Sequence, residues 1–110
     1  MDIDTYFTVM EERFVVAVDE ATEATSREVE ERMRRRIPAR RRQTRRALEY
    51  RRRRLSADRI QTVFRLRFVT RYDANGTTTE RVFIDAWDRT RPEIIEHLHS
   101  TLETHYDAIA

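Results

Sequence analysis

The sequence predicts an α+β fold: a long N-terminal helix, an antiparallel meander of two or three strands, and a C-terminal helix packed on the sheet. Three observations predict it. They are the helical spacing of apolar residues before Pro38, a two-residue alternation that begins at Ile60, and a helix-start pattern at Thr90. Because the chain has 110 residues and 38% of them are charged, we expect residues 1–110 to form a single domain with a thin core.

Residues 1–37 are predicted to form the long helix. Their apolar residues lie mostly three or four positions apart, with a polar interruption near Thr25 and Ser26. Pro38 ends the helix because it lacks an amide donor and clashes with the preceding turn. A helix of about thirty residues would run roughly 45 Å, so we expect part of it to pack on another subunit. The apolar positions are Phe7, Met10, Phe14, Val18, Ala21, Ala24, Val29, Met33 and Ile37.

Residues 39–58 form an arginine-rich segment that is predicted to be a loop leading into a strand. A helix here would have a very narrow apolar stripe, made by Ala47, Leu48 and Tyr50. In a strand, Leu48 and Tyr50 would share one face with Arg52. We expect residues 55–58 to supply the turn that follows.

Residues 59–85 are predicted to form a β-hairpin. Ile60, Thr62, Phe64 and Leu66 share one parity, while Gln61 and the arginines that follow share the other, as in a strand with one buried face. The strand is expected to continue to Tyr72, and the Asn-Gly pair at residues 75–76 favours a type I′ turn. The resulting register pairs Phe68 with Phe83, Val69 with Val82, and Arg71 with Glu80.

Residues 90–109 are predicted to form the closing helix. Thr90, with Pro92 in the first turn and Glu93 three residues after the cap, matches a capping box. Trp87, which precedes this helix, is expected to be a core anchor rather than a platform for a ligand. The predicted buried face consists of Ile95, Leu98, Leu102, Tyr106 and Ile109.

Charge is distributed very unevenly along the chain. All 22 basic residues are arginine, and 12 of them lie within the 21 residues from Arg34 to Arg54. The formal charge is −8 over residues 1–31, +12 over residues 32–59 and −2 over residues 60–110, which sums to the net +2. Arginine's planar fork matches phosphate and carboxylate geometry, so the block indicates an anionic partner, which includes the chain's own acids.

Three interpretations of the arginine block remain open: a solvated charged segment, a nucleic-acid-binding patch, and a protein interface that docks on the acidic first helix of another copy or on an acidic partner. The candidate interface or polyanion contacts are Arg34, Arg35, Arg36, Arg40, Arg41, Arg42, Arg45, Arg46, Arg51, Arg52, Arg53 and Arg54. The candidate acidic interface consists of Glu11, Glu12, Asp19, Glu20 and Glu23.

Composition argues against several other classes of protein. Gly76 is the single glycine, which excludes a Gly-rich phosphate loop, and no nucleophile lies near a candidate base, so we expect no catalytic residue, no enzyme and no cofactor. Glu93 and His97 are four residues apart, but the remaining histidines do not complete a metal shell and are expected to be solvated. The chain has no cysteine and no long apolar stretch, so we expect a soluble protein without membrane contact.

Residues 29–37 precede Pro38, and Thr44-Arg45-Arg46-Ala47-Leu48 follows. This order resembles the tail-completion or head-tail joining proteins of long-tailed bacteriophages. In that family a long helix ends at a proline and a Thr-Gly-x-Leu-Arg-x-Ser-like segment starts the first strand. Residues 83–86 (Phe-Ile-Asp-Ala) resemble the family's Phe-Leu-x-x-Ala entry to its last helix. The family's glycine is Arg45 here, and the family's long loop is reduced to residues 72–77.

This resemblance implies a structural virion protein without catalytic residues. The family forms rings, often sixfold, between the head connector and the tail tube. The expected partners are therefore further copies of the chain in a homo-oligomeric ring, the neighbouring neck and tail-tube proteins, and non-specific contact with genomic DNA. The expected location is the virion neck or tail, after assembly in the host cytoplasm. The alternative is a small arginine-rich nucleic-acid-binding module.

Overall fold

A computed structural model describes residues 2–8, 15–56, 59–67 and 79–109, and it has the predicted α+β architecture. The elements, in chain order, are β1 (Asp2–Thr8), α1 (Val15–Arg36), α2 (Arg42–Ala47), β2 (Leu48–Ser56), β3 (Arg59–Leu66), α3 (Thr79–Thr90), a 3-10 turn (Arg91–Glu93) and α4 (Ile94–Ile109). The described strands form one three-stranded sheet in the order β1-β3-β2, and both neighbouring pairs are antiparallel.

The helices cover one face of the sheet. The predicted alternation in β3 is confirmed at Ile60, Thr62 and Phe64, which are buried, but Gln61 on the other face is also buried and Leu66 is half-buried. Phe64 contacts Trp87 with ring centroids 5.7 Å apart, so Trp87 packs on the core as expected. The buried core joins α1, β2, β3, α3 and α4 through Val29, Met33, Ile37, Leu48, Ile60, Phe64, Val82, Phe83, Ala86 and Ile94.

The long helix predicted over residues 1–37 is partly wrong, because residues 2–8 form strand β1. Their pattern, Asp-Ile-Asp-Thr-Tyr-Phe-Thr, alternates apolar or β-branched residues with polar or half-polar ones, and this favours a strand beside β3. The helix itself has 22 residues and ends at Arg36, two positions before Pro38, as predicted. Met10 and Phe14 lie outside the described residues.

The helix α1 buries a polar patch where the sequence shows an interruption. Thr22, Thr25 and Ser26 are almost fully buried. The Ser26 and Thr62 hydroxyls are hydrogen-bonded at 3.0 Å, which joins α1 to the middle of β3. The polar interruption is therefore a contact with the sheet and not a break in the buried face.

The prediction for residues 39–58 is confirmed in its second half, because β2 begins at Leu48. The expected loop contains the one-turn-and-a-half helix α2, whose Thr44 and Ala47 are buried. The strand β2 pairs with β3 through residues 48–56. β2 and β3 therefore form an antiparallel hairpin, whereas the sequence predicted a hairpin between β3 and the segment that follows it.

The hairpin predicted over residues 59–85 is wrong in its second strand, because residues 79–90 form α3. Glu80, Val82 and Phe83 therefore lie in a helix and not in the predicted second strand, and their predicted partners Arg71, Val69 and Phe68 lie outside the described residues. Thr79, Val82, Phe83, Ala86 and Thr90 are the buried residues of α3, and their spacing is that of one helix face. The predicted Asn-Gly turn lies outside the described residues.

The capping box predicted at Thr90 is also wrong. Thr90 has helical backbone angles (φ −89°, ψ −34°) and makes no side-chain cap hydrogen bond. Its hydroxyl instead donates to the Ala86 carbonyl at 2.7 Å. The closing helix α4 begins after the 3-10 turn, and its inner face starts at Ile94, whereas Ile95 is 76% exposed. Leu98 packs on the core as predicted.

Candidate functional site

The candidate arginines do not form one surface. The structure divides them among the end of α1, both faces of β2, and the turn between α1 and β2. The candidate acids Asp19, Glu20 and Glu23 lie on α1, whereas Glu11 and Glu12 lie outside the described residues. Each group of arginines has different neighbours, and these neighbours decide which arginines remain available to a partner.

Arg34 and Arg45 fasten the end of α1 to the segment that follows it. The Arg34 Nη2 donates to Glu30 at 2.8 Å and to the Leu48 carbonyl at 3.3 Å. The Arg45 Nε donates to the Ile37 carbonyl at 2.7 Å. This carbonyl lies at the end of α1, where acceptors lack helical partners, so Arg45 acts as a structural cap and Arg34 connects α1 to the start of β2.

Arg36 and Arg32 bind one carboxylate on the opposite side of α1. Arg36 donates a hydrogen bond to Glu93, and Arg32 donates to the same carboxylate at 3.1 Å. Arg36 also donates to the Thr90 hydroxyl at 2.9 Å. The hydrogen bond from Arg36, followed by the two positive charges, lowers the pKa of Glu93 against the opposing effect of burial. This cluster attaches α1 to the joint between α3 and α4.

Arg52 binds the candidate acidic residues of its own chain. Its Nη1 donates to Glu23 at 2.7 Å, and its Nη2 donates to Asp19 at 3.1 Å and to the Thr22 hydroxyl at 2.6 Å. The Arg52 side chain is only 15% exposed. The phenol of Tyr50 donates to Glu23 at 2.7 Å, and this hydrogen bond is the main cause that lowers the pKa of Glu23. Asp19 and Glu23 are therefore already bound within the subunit.

The outer sheet face, as we use the term, is the face of β2 and β3 opposite the helices, and it carries Glu49, Arg51, Arg53, Gln61, Val63 and Arg65. Glu49 accepts a hydrogen bond from the Arg65 Nε at 2.7 Å, and the Nε atoms of Arg51 and Arg67 lie 3.8 and 3.9 Å from its carboxylate. Arg53 donates to Gln61 at 2.8 Å. One carboxylate thus stands among three guanidinium groups, which leaves this face with surplus positive charge.

The arginine corner consists of Arg35, Arg40, Arg42 and Arg46, which are all exposed where the chain turns from α1 to β2. Arg35 lies 3.6 Å from Glu28. For Arg40, Arg42 and Arg46 the structure shows no ion pair with another described residue. A cleft of about 170 Å³ opens beside the corner, lined by Arg36, Pro38, Arg40, Arg41, Val82, Asp85, Ala86 and Arg89. With four arginines and one aspartate, this cleft fits an anionic group.

The sequence-based candidate set omits residues that complete these clusters. Glu93, Glu49, Arg32 and Arg65 hold candidate arginines or share their acids. Arg32 was predictable, because Glu28 and Arg32 are four apart on one helix. Glu93 was not, since it lies 57 residues from Arg36 and meets it only through the tertiary fold.

The histidines are not all solvated. His97 is half-buried, and its Nδ1 lies 3.3 Å from the hydroxyls of both Thr25 and Thr101. His99 is exposed, 3.6 Å from Glu103, and nothing is described of the side chain of His105. Among the described residues, no group of three His, Cys, Asp or Glu side chains could hold a metal ion.

Comparisons with known proteins identify no relative of this chain. No protein-family model, curated protein or solved structure matches it. Within the described ranges, none of the helices combines the length and the apolar character that crossing a membrane requires.

Proposed function

We propose that this chain is a structural virion protein of a tailed bacteriophage, which forms a ring in the neck or tail as a tail-completion or head-tail joining component. The order of elements around Pro38 is the observation that carries this proposal. The helix α1 ends at Arg36, Pro38 follows, and Thr44 to Leu48 lead directly into β2. The resemblance implies a long helix, a proline and then a strand, and the chain has this order with the short helix α2 between Pro38 and β2.

The charged surface supports a function in binding other macromolecules. The described acids that face the arginine block are engaged within the chain, as Glu23 and Asp19 are by Arg52. The arginine corner and the outer sheet face retain surplus positive charge. Because arginine pairs well with carboxylates and phosphates, these surfaces suit the acidic side chains of a neighbour or the backbone of DNA.

The dimensions of the molecule also support assembly. Its radius of gyration is 15.6 Å and its extents are 53 × 24 × 19 Å, whereas a compact domain of this length is expected near about 13 Å. An elongated chain with a thin core buries little apolar surface by itself. Association with further copies or with the neighbouring neck and tail-tube proteins would complete this burial.

A nucleic-acid-binding module is the second candidate function, and the arginine corner is the observation that favours it. Arg40, Arg42 and Arg46 are exposed beside the anion-sized cleft. Contacts from such residues to phosphates are independent of sequence and weaken steeply as salt increases. In a ring, the same contacts would be limited to the path of the exiting genome.

Two measurements on the full chain distinguish the candidates. A ring component is expected to form a concentration-dependent oligomer by light scattering, visible as rings by negative-stain electron microscopy, and to bind duplex DNA weakly at physiological salt. A nucleic-acid-binding module is expected to stay small and to lose about 10³-fold or more in DNA affinity between about 50 and 200 mM salt. A monomer with this steep salt dependence would replace the ring proposal with the second candidate.

Contact with the genome is tested on particles that have assembled, so that DNA retention is measured apart from ring formation. Arg51 and Arg53 are exposed on the outer sheet face, whereas Arg52 between them is bound to α1. The double variant Arg51→Gln/Arg53→Gln is therefore expected to keep the fold, and particles that carry it should retain DNA less well if these arginines border the genome. Normal DNA retention would remove this contact from the proposal and leave the ring itself in place.

A further inference from the structure

The sheet has two edges of opposite charge. Among the described strands, β1 and β2 each pair only with β3, so each has one free edge. The strand β1 contains Asp2 and Asp4 and no basic residue. The strand β2 contains the four arginines 51–54 against Glu49 alone. The formal charges of the two edge strands are therefore −2 and +3.

We infer that the free edge of β1 pairs with the free edge of β2 of the next copy, so that the sheet continues from subunit to subunit. This inference rests on the proposed ring and specifies its interface. The partner is a second copy of this chain, since the two complementary edges lie on the same molecule. Continuing the sheet would satisfy backbone groups that an edge strand leaves unpaired.

In a β-strand, alternate residues direct their backbone N–H and C=O groups to opposite sides, and we call this alternation the hydrogen-bond phase. It identifies the backbone groups that face each free edge. In an antiparallel pair, alternate residues direct both N–H and C=O to the partner strand. The Arg67 amide donates to the Ala47 carbonyl at 2.8 Å, which sets this phase for β2 and β3. By alternation, the backbone groups of Tyr50 and Arg52 are directed to the free edge. The Leu48 carbonyl has the same parity, and its acceptance of a hydrogen bond from Arg34 agrees with this assignment.

The same phase applies to the other edge. Since β3 uses the backbone groups of its odd-numbered residues for β2, its even-numbered residues bond β1. The register pairs Ile3 with Phe64 and Thr5 with Thr62. The backbone groups of Asp4 and Tyr6, between and beyond these positions, are therefore directed to the free edge of β1. Strands of seven and nine residues are long enough for several hydrogen bonds between copies.

Charge decides which edges pair. A symmetric pair of two β2 edges would bring four arginines against four arginines, and a pair of two β1 edges would bring aspartates together, so repulsion disfavours both. A pair formed by one β1 edge and one β2 edge places aspartate beside arginine. Such a contact is heterologous and generates a ring when its rotation closes. Because β1 and β2 are both antiparallel to β3, strand β2 and the β1 of the next copy would run parallel.

Charge reversal on each edge tests this interface. Asp2→Arg/Asp4→Arg and Arg51→Glu/Arg53→Glu are each expected to weaken self-association by about ten-fold or more in sedimentation velocity. An equimolar mixture of the two variants should associate again, because each unlike edge then finds its complement. This recovery also shows that both variants are folded. The control Arg81→Glu/Arg91→Glu makes the same change of charge at two exposed arginines of α3 and the 3-10 turn, outside the sheet and the arginine corner, and should leave association unchanged.

A proline substitution separates strand pairing from simple charge docking. Asp4→Pro removes an amide directed to the free edge and keeps the ladder with β3, which an edge strand tolerates. It should weaken association more than Asp4→Asn does, because Asp4→Asn removes the charge alone. If oligomers persist in both charge-reversal variants, the inferred pairing of β1 with β2 is wrong. Equal effects of Asp4→Pro and Asp4→Asn on association would also contradict this pairing. Either result would leave the ring proposal in place. A chain that stays monomeric at every concentration would overturn both.

Discussion

Arg52 and Arg53 are neighbours in sequence, but they have different roles because strand β2 sends them to opposite faces of the sheet. Arg52 lies on the helix-covered face and binds Asp19 and Glu23. Arg53 lies on the outer sheet face, is exposed, and donates to Gln61. An arginine run in a strand therefore contributes alternately to stability and to the surface that partners can reach.

Glu93 provides a test at the level of a single carboxylate. Because its pKa is lowered in the folded protein by Arg36 and Arg32, its contribution to stability is present above the ordinary value of 4.5 and is lost as the pH falls through the lowered pKa. Glu93→Gln is expected to lower the free energy of unfolding by about 1 kcal/mol at pH 7. Thermal melting between neutral and acid pH measures this difference.

The pH dependence gives this prediction a control. The gap in melting temperature between the natural chain and Glu93→Gln should narrow below pH 4.5, because the carboxyl takes up a proton first in the unfolded chain and then, near its lowered pKa, in the folded one. The variant Glu96→Gln, at an exposed position on α4, should melt like the natural chain at neutral pH. A gap that is constant with pH would contradict the role given to the Glu93 charge.

The buried hydroxyl pair of Ser26 and Thr62 allows a double-mutant cycle. Thr62→Val keeps the shape of the side chain and leaves the Ser26 hydroxyl without this partner, so we expect a loss of about 1 to 3 kcal/mol in the free energy of unfolding. Adding Ser26→Ala removes the Ser26 hydroxyl that has lost this partner, and it should recover part of the lost free energy of unfolding. Denaturant unfolding of the four chains measures the coupling. Strictly additive losses would show that the hydrogen bond contributes nothing.

At the scale of elements, the parts of the fold with a clear period were predictable from the sequence. The alternation in β3 and the end of α1 before Pro38 follow from local rules. The strand β1 was missed because Phe7 also fits the helical spacing of the residues after it. The helix α3 was missed because the Asn-Gly pair favoured a hairpin, although Val82, Phe83 and Ala86 have the spacing of a helix face.

The candidate site was predictable only as a list of residues. The pairs Glu28 with Arg32 and Glu30 with Arg34 are four apart on one helix and follow from sequence spacing. The ion pair between Arg36 and Glu93 depends on how α3 and α4 pack against α1. No local pattern reports such packing, so sequence alone did not separate bound arginines from exposed ones.

The joint between α1 and α2 gives a prediction at this scale. The Arg45 guanidinium donates to the Ile37 and Arg35 carbonyls at the end of α1, at 2.7 and 3.4 Å. Arg45→Ala is therefore expected to destabilise the fold by about 1 to 2 kcal/mol. Arg42→Ala, in the same short helix but exposed, should change stability by less than about 0.5 kcal/mol. Chemical denaturation compares them, and equal effects would contradict the capping role of Arg45.

At the scale of the whole molecule, the chain separates opposite charges while its net charge stays near +2. Its described core is small and joins α1, α3 and α4 to one face of the sheet, and the outer sheet face bears mostly charged and polar residues. Association between copies would therefore depend on electrostatic attraction and backbone hydrogen bonds more than on apolar burial. This balance has a direct consequence for how assembly responds to salt.

Raising salt is expected to weaken self-association of the natural chain. The Debye length falls from about 10 Å at 0.1 M to about 3 Å at 1 M, so attraction between acidic and basic edges is screened, whereas an apolar interface would be unchanged or strengthened by a kosmotropic salt. Sedimentation velocity in increasing sodium chloride should show a dissociation constant that rises several-fold. Monomer stability, followed by thermal melting in the same buffers, provides the control.

Because Arg52 and Glu93 hold their partners at partly buried contacts, the fold should persist at salt concentrations where the oligomer dissociates. Association that tightens with salt would show instead that apolar surface drives assembly.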